Sequence, residues 1–109
     1  MIKKVLIFGS GSIGNHFANA LSRMKTNEIN VTDISNRALQ RMKNEIYPER
    51  YGVWNKKINL ISYKSALNLK DLFDLVIIGT PPDTHLDLFK IIEKKINYKK
   101  ILIEKPLVP

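Results

Sequence analysis

Apolar residues follow two alternating rhythms along the chain. Ile2 to Phe8 is a β-branched-rich run without strict alternation, which predicts a strand buried on both faces, as in a parallel sheet. From Ser12 the spacing changes. Ile13, Phe17, Ala20, Leu21 and Met24 recur at steps of three and four, the apolar face of an amphipathic helix. "EINVTD", ending at Asp33, reads as a second strand. Ser35 then stands where a helix cap is needed, with Ala38, Leu39, Met42 and Ile46 on one face and Pro48 predicted to stop the helix.

"ERYGVWNK" reads as a loop or turn, and "KINLIS" (57–62) as a third strand. "SALNLKDLF" predicts a short helix. "DLVIIGT" (74–80) is the clearest buried strand in the chain. "PPDTH" breaks that strand and opens a helix capped by Asp83, with Leu88, Phe89, Ile92 and Ile96 on its apolar face. "KILIE" (100–104) is the last strand. Strands alternate with helices throughout, without repeat, low-complexity segment or linker. The expectation is one α/β domain over residues 1–109, a Rossmann-like doubly wound parallel sheet of strand order 3-2-1-4-5.

Composition narrows the function classes. Apolar residues make up 44% of the chain and charged residues 26%, which sets disorder aside. There is no cysteine, so disulfides and thiolate metal sites are excluded. No histidine or carboxylate stands at metal-ligand spacing to His85, because His16 is on another helix. The apolar run Val5–Phe8 is too short for a signal peptide, and no stretch approaches the roughly 20 apolar residues of a membrane helix. A cytoplasmic protein without a membrane partner is expected. The net charge of +8 is spread along the chain with few interleaved aromatics, which favours solvated lysines over a nucleic-acid partner.

The candidate chemistry lies at the strand ends. Gly9, Gly11 and Gly14 form G-x-G-x-x-G between a predicted strand and a predicted helix, the context of a dinucleotide-binding loop. Helix N-terminal amides and the Ser10 and Ser12 hydroxyls would face a pyrophosphate. Asp33, 19 residues after Gly14, is placed to accept from ribose hydroxyls. It would repel a 2′-phosphate and so favours NAD over NADP, although Arg37 one turn on leaves NADP open. Asp33 also stands where it could cap the helix after it. Thr80, Pro81 and Pro82 follow the fourth strand at the switch-point edge, with His85 on the inward face of the next helix. Glu104 and Lys105 end the fifth strand. A lysine at that depth can serve proton transfer, and an ordinary solvated strand end accounts for it equally well.

Three motifs in order, "GSGSIG", "GTPPDTH" and "IEKPL", resemble the N-terminal domain of the glucose–fructose oxidoreductase / inositol dehydrogenase (Gfo/Idh/MocA) family. The resemblance spans essentially all 109 residues, with Pro82 where the family also uses asparagine. It implies an NAD(P)-dependent oxidoreductase of carbohydrate metabolism that transfers hydride to or from a sugar, cyclitol or nucleotide-sugar. It assigns the pyrophosphate to Gly9, Gly11, Ser12, Ile13 and Gly14, and the ribose to Asp33. Thr80, Pro81, Pro82 and His85 line the cofactor, and Lys105, with Glu104 beside it, assists catalysis. The family also carries a second α/β domain that walls the substrate and supports homo-oligomers. The chain ends directly after E-K-P-L, so the resemblance implies a truncated first domain, inactive by itself. A non-catalytic dinucleotide sensor is the alternative, with the E-K-P lysine against it.

Overall fold

The computed structural model describes residues 2–104. Among them, five strands form one parallel sheet, β1 (Lys4–Phe8), β2 (Glu28–Asp33), β3 (Ile58–Ser62), β4 (Leu72–Ile78) and β5 (Asn97–Ile103). Their spatial order is β3-β2-β1-β4-β5, as the alternation of strands and helices predicts. Parallel neighbours require crossovers, and right-handed crossovers place helices on both faces. The first crossover is α1 (Ser12–Ser22). The second holds α2 (Asn36–Arg41), a π-helical turn (Met42–Ile46) and α3 (Tyr47–Tyr51). α4 (Tyr63–Leu67) and α5 (His85–Lys95) complete the remaining two.

β1 is central, and Val5, Leu6, Ile7 and Phe8 are each at most 1% exposed. Successive side chains point to opposite faces, so each face receives its own core. Val5 and Ile7 join Ala18, Leu21, Leu39 and Met42 on one side. Leu6 and Phe8 join Val76, Ile78, Leu88 and Ile92 on the other. Each large side chain buried this way contributes roughly 1.5–3 kcal/mol. Among the described residues no helix is long and apolar enough to cross a membrane.

Three local expectations are corrected. The short helix expected over 65–73 is Tyr63–Leu67, and Leu72 and Phe73 already belong to β4. Pro48 does not stop the helix, which continues to Tyr51 before Gly52 ends it at φ +89°. The π-helical turn explains this. Tyr47 N–H donates to the Met42 carbonyl, five residues back, and this widened turn absorbs the missing proline N–H and its ring. The buried face of α1 is also rotated from the predicted one. It consists of Gly14, Asn15, Ala18, Leu21 and Ser22, while Met24 is 59% exposed. Small side chains let this helix lie close to the sheet, and hydropathy alone cannot show that.

At the opposite end of the sheet, Asp74 holds the start of β1. Its Oδ2 accepts from the backbone N–H groups of Lys3 and Lys4, both at 2.9 Å. These backbone bonds, with Lys99 beside them, hold its carboxyl below the usual carboxylate range. Asp71 is also lowered, by the Lys4 ammonium at 2.6 Å, but that pair is exposed and contributes little. A lowered folded pKa stabilises above the unfolded value of 3.8, and the stabilisation is lost as pH falls through the folded value. Asp74→Ala is therefore expected to lower Tm more than Asp71→Ala at neutral pH. It should also flatten the loss of Tm with acid, in melts recorded from pH 7 down to about pH 2.

Candidate functional site

The carboxyl ends of β2, β1 and β4 lie side by side, because Phe8 pairs in register with Thr32 on one flank and Ile78 on the other. The pairing continues into the loop. Gly9 N–H donates to the Thr32 carbonyl and Gly79 N–H to the Phe8 carbonyl, both at 2.8 Å. Gly9 has φ +113°, and a Cβ there would come within 2.9 Å of the Gly79 backbone. A Cβ on Gly14 would lie 1.9 Å from the Gly9 carbonyl oxygen. The fold itself therefore requires both glycines. Gly11 differs. Its backbone (φ −80°, ψ −157°) suits any residue, and among the described residues a Cβ there meets nothing within 4 Å. Packing leaves the space in front of Gly11 open.

Asp33 serves the loop and the next helix together. Its Oδ2 accepts from Ser10 N–H and Ser10 Oγ, both at 2.9 Å, and its Oδ1 accepts from Ser35 N–H at 2.9 Å. Ser35 Oγ in turn accepts from Ala38 N–H, the cap expected at α2. A carboxylate offers about four acceptor positions, so three protein donors leave room for one more.

The opposite wall is the turn after β4. Thr84 Oγ1 donates to the Pro81 carbonyl at 2.6 Å and lies 2.8 Å from Thr80 Oγ1. His85 Nε2 is 2.7 Å from the Thr80 carbonyl oxygen, which can only accept, so Nε2 carries the proton. The ring braces the wall from behind, and His85 does not line the cleft. Asp83 does not cap α5. It lies in a 3₁₀ turn (Pro82–Thr84) and faces the cleft.

Between loop and wall lies a cleft of about 710 Å³. Gly9, Gly11, Ser12 and Ile13 line one side, Asp33 one end, and Thr80, Pro81 and Pro82 the other side. Gly14 lies beneath the loop, buried. The sequence reading missed Ile34, Ala38, Arg41, Ile46 and Tyr63, which also line it. Ile34, directly after Asp33, is 75% exposed, an apolar side chain whose exposure the fold does not require. Burial raises the Tyr63 phenol pKa, keeping it protonated. Arg37 is exposed and does not line the cleft. Arg41 does, and its guanidinium lies 3.4 Å from the Glu45 carboxylate.

Glu104 stands apart from this cleft. Its N–H donates to the Ile78 carbonyl, and its side chain lines a second hollow of about 360 Å³. Ser12 and Ile13 are shared by both hollows, with His16, Phe17, Arg50 and Tyr51 completing the smaller one. Both hollows thus meet at the start of α1. Lys105 lies outside the described residues.

A family model described as an oxidoreductase family with an NAD-binding Rossmann fold, GFO_IDH_MocA, matches residues 3–109. None of the curated proteins compared matches the chain. Among solved structures, quinate dehydrogenase from Corynebacterium glutamicum in complex with NAD is 20% identical, with a TM-score of 0.58, covering 74% of this chain and 28% of that one. A diketoreductase is 19% identical, with a TM-score of 0.64, covering 91% and 41%. Spermidine synthase from Thermotoga maritima is 17% identical, with a TM-score of 0.61, covering 91% and 38%. This chain spans less than half the length of each. At these identities the likeness concerns the fold alone, and a dehydrogenase and a synthase share it.

The glycines separate packing from ligand space in a measurable way. Gly14→Ala is expected to destabilise by about 3 kcal/mol or more, since backbone must move. Gly11→Ala should cost less than about 1 kcal/mol. Urea denaturation of the two variants checks this contrast.

Proposed function

The chain belongs to the Gfo/Idh/MocA oxidoreductase family, as its NAD-binding Rossmann domain, and from that premise we propose how it holds the cofactor and what it acts on. The Gly9–Gly14 loop takes the pyrophosphate on the backbone amides of Gly11, Ser12 and Ile13. Asp33 accepts a ribose hydroxyl at its remaining acceptor position, and exposed Ile34 offers an apolar shelf for the adenine. Thr80, Pro81 and Pro82 form the facing wall, with His85 holding Thr80 in place. The observation that carries this reading is the open space at Gly11, where a glycine stands without any packing need and faces a cleft of cofactor size.

The cofactor supplies hydride transfer when bound, and the protein orients it. The substrate is a sugar, cyclitol or nucleotide-sugar with a hydroxyl or ketone at the reacting carbon. Lys105, next to Glu104, takes or returns the hydroxyl proton. The 109 residues hold the cofactor without turning over substrate by themselves. The substrate wall and any homo-oligomer contact belong to the second α/β domain that the family resemblance implies. The protein acts in the cytoplasm.

Titration by NADH fluorescence tests the cofactor site. NADH should bind at least about tenfold more tightly than NADPH, because a 2′-phosphate meets the Asp33 carboxylate. Gly11→Val should weaken NADH binding while the chain stays folded. Failure of folded wild-type chain to bind either cofactor at about millimolar concentration would sink the reading.

A further inference from the structure

Asn15 lies in the first turn of α1, fully buried, and plays no part in the cofactor contacts above. Its side chain turns back onto the glycine loop. Nδ2 donates to the Ser10 carbonyl at 2.9 Å and to the Gly11 carbonyl at 2.8 Å. Flipping the amide would set an oxygen against two carbonyl oxygens, so the two acceptors fix its orientation. Its Oδ1 is buried with no hydrogen-bond partner among the described residues. Leaving that oxygen dry is unfavourable, and an alanine would avoid it. The helix has no need of the side chain either, because Asn15 N–H already makes the ordinary helical bond to the Gly11 carbonyl at 2.9 Å.

The two carbonyls it holds belong to the peptides Ser10–Gly11 and Gly11–Ser12. In a trans peptide the N–H points opposite to the C=O, and the described residues contain no cis peptide. Drawing both carbonyls towards α1 therefore aims the N–H groups of Gly11 and Ser12 the other way. Gly11 and Ser12 are exposed and line the cleft. Neither N–H has an intrahelical partner, because both precede the first helical bond. Ser10 is clamped from both ends, its N–H and Oγ by Asp33 and its carbonyl by Asn15.

We propose that Asn15 is the positioning residue of the loop, locking the Gly11 and Ser12 amides in the orientation that receives an anionic diphosphate. The inference rests on the dinucleotide reading of the cleft. Pre-set donors bind an anion without reorganising first, so losing the lock should weaken phosphate contacts specifically.

The test compares wild type, Asn15→Ala and Asn15→Ser with three probes: NADH, inorganic pyrophosphate and adenosine. Binding is followed by NADH fluorescence and by backbone amide shifts of Gly11 and Ser12. Asn15→Ala should weaken NADH and pyrophosphate about tenfold and leave adenosine unchanged. Asn15→Ser keeps one donor within reach of the Gly11 carbonyl, four residues back, and should recover part of the loss. Equal weakening of adenosine and NADH, or NADH affinity equal to wild type in a folded Asn15→Ala chain, overturns the inference and leaves the cofactor reading standing. If Asn15→Ala does not fold, the serine variant decides, with unaltered pyrophosphate affinity and amide shifts counting against the lock. Wild-type chain that binds none of the probes removes the cofactor reading and the inference together.

Discussion

The contact between Gly14 and the carbonyl of Gly9 sets the geometry on which the rest depends. With a side chain on Gly14, α1 would have to move away from β1, since the nearest backbone oxygen lies 1.9 Å from where a Cβ would sit. Only with the helix this close do its first amides reach the mouth of the cleft. The same closeness selects the small buried face of α1 and brings Asn15 within hydrogen-bond reach of the loop carbonyls. Sheet order supplies the other half. β1 lies between β2 and β4, so a loop leaving β1 must pass between Asp33 and Gly79.

Polar groups around the loop form a chain that links three elements. Asp33 at the end of β2 binds Ser10, Ser10 binds Asn15 on α1, and Asp33 also binds Ser35 at the start of α2. Asp33 is thus both a structural acceptor and a candidate ligand group. The two readings that its position in the sequence left open are compatible, because a carboxylate has acceptor positions for both. The wall after β4 shows the same economy. His85 braces Thr80 through its carbonyl rather than facing the cleft, consistent with a role in shaping the wall.

Much of the fold was legible in the sequence. Buried strands such as Val5–Phe8 and Val76–Ile78 announce themselves as β-branched runs, and their alternation with helices leaves one simple strand order. The misreadings have physical causes. Asn15 had no place on the predicted apolar face, because polarity stands for exposure in any periodicity argument, yet it is buried. Met24 looked buried for the converse reason, although the helix ends at Ser22 and it stands 59% exposed. Pro48 ended a helix on paper because a π-helical turn leaves no mark in a hydropathy pattern.

By itself the sequence determined the α/β class, the glycine loop, the acidic residue at the end of β2 and the family motifs, because these depend on residue type at short spacing. Tertiary structure decided which glycines serve packing and which faces open space, since that depends on atoms distant in the chain, such as Gly79 against Gly9. It also decided that Glu104 and Asp33 line different hollows. The partners of a buried amide are set by how closely a helix docks on its sheet, and no one-dimensional pattern carries that distance.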